Sequence, residues 1–349
     1  MNYEYVLIAF GLSLGLTVIL TFIFKFLGQK RLLGNLYESI RGGTPRAIGI
    51  VPYLLLGIFL PPGFNDLVLI MGFFAFLDDI IGRRKIGSFS MEWGQLLRGI
   101  GMISVMVIGF PIVGYSSILI ALLIQPVNIS DMQPGSTCIV VIIMSFFSIL
   151  AIFLGMGLSL EVPEYYIPLF LLVICLGYTP LDYTGKIMMG EIGNHSFAIA
   201  LGLCFYVTGG FWWTLLMFIA TTAIIALIRK NNLKEFFART LKILNPAPGD
   251  YFMDVLTGGG LGDVARKIFL RKKQINVKNP TLIFLGFRRL LFNPFAPHYG
   301  QYISKKPESV KLLNKRWFYI YGLMKCDLNV ILHILANEIE FKCGLRLAN

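Results

Sequence analysis

The chain has 349 residues, 56% hydrophobic and only 14% charged, with 31 Lys and Arg against 19 Asp and Glu. Soluble domains carry about 25% charged residues, so the composition excludes disorder and argues against a soluble globule. The net charge of +12 is not spread evenly: residues 1–228 hold 10 basic and 11 acidic side chains, residues 229–349 hold 21 and 8. A near-neutral apolar body followed by a basic segment is the pattern of a membrane domain with a lipid-facing cytoplasmic region.

Apolar stretches recur at 5–26, 48–60, 67–81, 100–114, 118–127, 139–157, 167–181, 196–209 and 211–228. They predict an all-α polytopic bundle of about nine transmembrane helices, with the first stretch a retained span because no basic segment precedes it. Residues 1–230 form the membrane domain on this reading and 231–349 a basic cytoplasmic or interfacial tail. Between Leu96 and Val127 the only charge is Arg98. A continuous helix there would be about 50 Å long, too long for a bilayer core of about 30 Å. Pro111, Gly114 and the polar triplet after it supply a turn, so the stretch reads as a hairpin. With that hairpin, every Lys and Arg falls on one side of the membrane and the opposite loops carry none. The positive-inside rule then puts the N-terminus outside and the tail in the cytoplasm of a multi-pass cell-membrane protein.

Ionisable groups near a bilayer are costly, and here they gather in four clusters on the cytoplasmic ends of spans. The first, RGGTPRAIGI from Arg41, combines glycines, Thr44, Pro45 and two arginines in a loop suited to a phosphate. In the second, FLDDIIGRR, Asp78 and Asp79 end a span just before Arg83. Adjacent carboxylates on a helix point about 100° apart, so one can hold a metal while its neighbour takes a water or a basic partner. The third, QPVNISDMQPG, sets Asn128 and Asp131 three residues apart, a pair suited to a base, a sugar hydroxyl or a metal; Asp131 alone would also serve as a helix cap. The fourth runs from Asp182 through Lys186 and Glu191 to Asn194 and His195, with glycines flanking Glu191; Asn194 there can act as a ligand or as an N-cap.

In order and spacing these clusters resemble the motifs of the polyprenyl-phosphate N-acetylhexosamine-1-phosphate transferase superfamily, relatives of phospho-N-acetylmuramoyl-pentapeptide transferase, over roughly residues 40–230. GGTPRAIGI resembles its Thr-Pro loop, FLDDIIG its Asp-Asp motif, VNISDMQPG its nucleotide-site motif and MMGEIGNHSFAIALG a late-span motif in which Glu191 replaces the usual Asp. The resemblance implies Mg²⁺-dependent, or Mn²⁺-dependent, transfer of a sugar-1-phosphate from a UDP-sugar to undecaprenyl phosphate in cell-envelope glycan synthesis. It implies Asp78 and Asp79 as catalytic carboxylates, Asp79 and Glu191 as metal ligands, and Arg41, Thr44, Arg83, Asn128, Asp131, Lys186 and Asn194 as substrate contacts. The partners implied are the lipid carrier and the nucleotide sugar, with an anionic membrane surface under the tail; a homodimer is left open, and no nucleic-acid motif accompanies the basic charge. The alternative is a catalytically inactive relative that binds the carrier or acts as a scaffold. A transporter would carry its acids near the bilayer midplane with an internal repeat, and neither is seen.

The five cysteines lack metal or disulfide spacing and read as small core residues. The glycine run 258–262 lacks the Gly-Lys-Ser/Thr of a P-loop and reads as a loop.

Overall fold

The computed structural model describes residues 3–38, 43–82, 84–86, 92–158, 166–241, 243–258, 260–271, 273–293 and 296. They are mostly helical, and through Ala296 they form one compact unit. Helix α1 spans Tyr3–Gln29, α2 Ile50–Phe59, α3 Phe64–Ile81, α4 Trp93–Val113, α5 Ser116–Leu122 and α6 Ile124–Ser130. Helices α7 (Ser136–Phe153), α8 (Tyr166–Tyr183) and α9 (Gly190–Ile228) complete the apolar part. A two-stranded hairpin, β1 (Tyr37–Glu38) and β2 (Thr44–Pro45), pairs Tyr37 with Pro45 and Glu38 with Thr44 between α1 and α2.

Among the described residues, α1, α4, α7, α8 and α9 are long and apolar enough to cross a membrane. Large apolar side chains such as Leu7, Phe22, Val107, Phe153 and Trp212 are more than half exposed on them. Helices apolar on their outward as well as their inward faces belong in lipid, not water.

The turns lie where backbone chemistry demands. Gly114 closes α4 with φ +59°, and a Cβ on Gly109 would come within 3.2 Å of Ser117 Cβ. Residues eight apart on a straight helix are about 12 Å apart, so the chain reverses at Gly114. Within α9 the dihedrals of Gly209 (φ −168°, ψ 27°) and Gly210 (φ 68°, ψ −155°) are non-helical and split it into two helices. In the first half, every residue from Ile192 to Phe205 is buried. That half is the axis around which α2, α3, α5, α6, α7 and α8 pack.

Small residues let those helices approach. Gly177 on α8 faces Ser13 on α1, whose hydroxyl donates to the Ile174 carbonyl at 2.7 Å. Gly101 and Gly109 on α4 take Met71 and Leu67 of α3, and Gly202 meets the backbone of Ile120. Cys138, Cys175 and Cys204 are buried and free, as their apolar settings predict; Cys326 and Cys343 lie outside the described residues.

Residue 230 is not a packing boundary. Helices α10 (Lys230–Phe236), α11 (Pro248–Thr257), α12 (Gly260–Leu270), α13 (Pro280–Phe284) and α14 (Phe287–Leu290) continue the same unit. Gln125 at the end of the bundle donates to the Gly258 carbonyl at 2.9 Å, tying α6 to the end of α11. Three arginines of this segment pair with carboxylates: Arg288 with Asp250, Arg289 with Asp254 at 2.5 Å, and Arg266 with Asp263 at 2.7 Å. Burial pushes the Asp254 carboxyl up, against the pull of Arg289. The glycine run read as a loop is corrected in part, because α12 begins at Gly260. The clusters at 305–306 and 315–316 lie outside the described residues.

Candidate functional site

The four polar clusters meet at one end of the bundle. Backbone hydrogen bonds join the first to the fourth: Met188 N donates to Pro45 O at 2.8 Å, and Gly49 N to Met189 O at 3.0 Å. The loop between them holds Ala47 at φ +62°, a conformation few non-glycine residues adopt, which marks a segment fixed by its surroundings.

Asp79 joins the second cluster to the fourth. Fully buried, it accepts from the amides of Glu191 at 3.1 Å and Ile192 at 3.0 Å, and Arg46 Nε lies 3.3 Å from Oδ1. The N-cap of α9 is Met189, which has no oxygen to offer the first free amides of the helix. Asp79 supplies it from a different helix, with its negative charge at the positive end of the α9 dipole. Its two oxygens are therefore taken up by protein donors.

Glu191 points the other way. Its Oε2 takes Arg98 Nη2 at 2.9 Å, and His195 Nε2 lies 3.2 Å away without a hydrogen bond. Asn128, with its amide oxygen turned to Arg98, accepts from Nη1 at 2.7 Å and Nη2 at 3.1 Å and donates to the same Glu191 oxygen at 3.1 Å. Asp78 Oδ2 is 3.7 Å from Arg98 Nη2. Arg98 thus stands among the second, third and fourth clusters. The sequence places it in a loop before a span, but α4 begins at Trp93 behind a Glu92/Gln95 capping box, so Arg98 lies in the second turn of the helix. It is the residue of this arrangement that sequence reasoning left out of the four clusters; Arg46, His195 and Asp182 stand in the clusters but were not given roles. The signal was a single arginine in an otherwise uncharged run of thirty residues.

The third cluster is joined through Asn194. Its side-chain oxygen accepts from Thr137 at 3.3 Å, and Asp131 follows the helix that carries Asn128. Asn194 lies inside α9 and is not an N-cap. Nor does Asp131 cap α7; Asp182 does, accepting from Gly135 N at 3.1 Å and from Cys138 Sγ at 3.4 Å. Burial pushes the Asp131 carboxyl well above the usual carboxylate range, and nearby Asp182 and Glu191 push the same way.

A pocket of ≈ 200 Å³ opens beside these groups, lined by Thr44, Asp131, Met132, Asp182, Ile187 and Met189 among others. Lys186 is exposed between two lining residues, Gly185 and Ile187. Arg41 and Arg83 lie outside the described residues. The site therefore gathers Asp78, Asp79, Asp131, Asp182 and Glu191 against the guanidinium groups of Arg46 and Arg98.

As a metal centre, the expected pair does not fit in this arrangement. Asp79 is committed to two amides and Arg46, and Glu191 Oε2 to Arg98 and Asn128. No three His, Cys, Asp or Glu side chains among the described residues form a ligand set.

Close packing also fixes Asp78. A Cβ on Gly94 would collide with Asp78 Oδ1 and lie 2.5 Å from its Cγ. Gly94→Ala must turn that carboxylate aside while leaving the backbone in place. If Asp78 serves the reaction proposed below, turnover should fall on the order of 100-fold, the scale of a 1 Å misplacement, with an unfolding midpoint close to wild type. Parallel turnover and thermal-unfolding measurements check this; unchanged turnover would remove Asp78 from the chemistry.

Compared with known proteins, the chain matches no family model and no curated protein sequence.

Proposed function

We propose that the protein is a membrane transferase that moves a sugar-1-phosphate from a UDP-sugar to undecaprenyl phosphate. The observation that carries this reading is the gathering of four motif clusters, scattered over some 150 residues, around Arg98 and Glu191 at one end of an apolar helical bundle. An oxygen of the lipid phosphate attacks the sugar-linked phosphorus of the donor. The bond to the nucleoside monophosphate breaks, giving a lipid diphosphate sugar and UMP.

Two anions must approach for this, so fixed positive charge and alignment supply most of the catalysis. Arg46 and Arg98 provide the charge, with Lys186 and, from the sequence, Arg41 and Arg83 at the rim. Asp78 sits toward the lipid phosphate. Little proton removal is needed there, since a phosphate monoester with a second pKa near 6 is mostly dianionic at neutral pH. Asn128, Asp131, Asn194 and Thr44 hold the nucleotide beside the pocket. The polar end faces the cytoplasm and the N-terminus lies outside, with the nine apolar stretches as spans and the basic segment beyond 230 on the anionic leaflet. Mg²⁺ or Mn²⁺ enters this proposal only for a state in which Arg98 has left Glu191, and no step is routed through it.

Reconstituted protein given labelled UDP-sugars and undecaprenyl phosphate is expected to yield labelled lipid and UMP, with Asp78→Asn at background and normally folded. No turnover with any UDP-sugar, alongside saturable nucleotide binding, would favour the second reading: an inactive relative that binds the carrier or acts as a scaffold. The engagement of Asp79 by the α9 amides and Arg46, and of Glu191 by Arg98, is the observation on that side.

A further inference from the structure

We propose that Arg98 is the resident cation of the carboxylate cluster, a positioning residue that keeps Glu191 and Asp78 from binding a divalent cation until a phosphate-bearing ligand draws its guanidinium away. The inference deepens the transferase reading but rests on the geometry of the cluster alone.

The guanidinium lies between the two carboxylates, 2.9 Å from Glu191 Oε2 and 3.7 Å from Asp78 Oδ2. Asn128, itself bonded to the same Glu191 oxygen, fastens it through both terminal nitrogens. Glu191 Oε2 receives Arg98 and Asn128, while His195 Nε2 lies 3.2 Å away without a hydrogen bond to it. A divalent cation placed at Glu191 while Arg98 stays there would sit within a few ångströms of a full positive charge. The neighbouring carboxylate offers no way round this, because Asp79 is engaged by the α9 amides and Arg46.

The same group is equipped to leave. Arg98 is only 12% exposed, yet its Nε has no acceptor among the described residues, so one of its five N–H donors is idle. A phosphate or diphosphate offers paired oxygens that match the guanidinium fork. Turning toward such an anion would free Glu191 Oε2 and Asp78 together.

The test counts Mn²⁺ bound to the full-length protein in zwitterionic nanodiscs, by loss of the free-ion electron paramagnetic resonance signal, with no nucleotide present. Wild type is expected to show no Mn²⁺ site that Glu191→Gln removes. Arg98→Gln is expected to gain one ion per chain, bound at least about tenfold tighter than any wild-type site, in line with the effect of groups that bind metal ligands. Arg98→Gln combined with Glu191→Gln should lose it again, and Arg98→Lys, which keeps the charge, should resemble wild type. Wild-type protein that binds one Mn²⁺ through Glu191 would overturn the proposal, as would a folded Arg98→Gln variant that gains none. If Arg98→Gln does not fold, the comparison of wild type with Glu191→Gln decides alone. Turnover is not read, so failure here is separate from failure of the transferase reading.

Discussion

Asp79→Ala is expected to lower stability by about 3 kcal/mol, because it leaves the first amides of α9 without an acceptor and half-buried Arg46 with Glu38 alone. The loss would be read as a marked fall in the unfolding midpoint of detergent-solubilised protein. Asp79→Asn should fall between the two: it keeps one acceptor oxygen but brings an amide group toward a backbone donor and gives up the charge facing Arg46 and the α9 terminus. Turnover, if the transferase reading holds, should vanish with alanine, since the helix start that presents Glu191 is what Asp79 holds. A midpoint for Asp79→Ala within a degree of wild type would mean that the cap carries no weight and that Asp79 is free for other chemistry.

The second large effect concerns the contact between α2 and α9. A Cβ on Gly49 would collide with Gly193 Cα and come within 2.5 Å of Met189 O and 2.6 Å of Gly193 N. All three are backbone atoms, so nothing can swing aside and the helices must separate. Overpacking of this kind costs about 1–3 kcal/mol or more. It would also break the Gly49 N to Met189 O bond that pins the Thr44 loop to the fourth cluster. Gly49→Ala should therefore lower the unfolding midpoint and abolish any nucleotide binding together. Gly11→Ala and Gly15→Ala on α1 are the controls, since a Cβ there meets nothing within 4 Å and the change favours a helix by about 0.5–1 kcal/mol. Should Gly49→Ala behave like these controls, the close approach of α2 to α9 is not what holds the site together.

Much of the helical plan was legible in the sequence. The stretches at 67–81, 167–181 and 211–228 fall on α3, α8 and the second half of α9, and the breaks fall at Gly114 and at Gly209 and Gly210. Both follow from local facts: an apolar run favours a helix in lipid, and glycine permits the dihedrals of a sharp turn. Helix starts were less legible. Residues 93–99 are too polar to extend an apolar stretch, yet they are helical because Glu92 and Gln95 cap them, and that displaced Arg98 from the reading of the site.

The polar clusters were visible because ionisable groups in so apolar a chain are costly and therefore few. What each carboxylate does was not visible. Asp79 and Asp182 occupy conspicuous positions at helix ends, and both proved to cap other helices, α9 and α7, from 112 and 47 residues away. Local pattern is blind to such pairings, because a free amide is satisfied by whichever oxygen the packing brings near. Neither Asn194 nor Asp131 took the capping role that its residue type invites, since Asn194 lies within α9 beside Thr137 and Asp182 serves the start of α7.

By itself, then, the sequence determined that the chain is helical and built for a membrane, where most of its helices lie and which residues are costly enough to need partners. Those properties come from composition and from spacing along one segment. Tertiary structure decided which partners they find: that Arg98 stands between Asp78 and Glu191, that Asp79 belongs to α9, and that residues 230–296 pack with the bundle. A buried charge is stabilised by whatever donor or opposite charge lies within about 3 Å, and only the folding of distant segments against one another sets that distance.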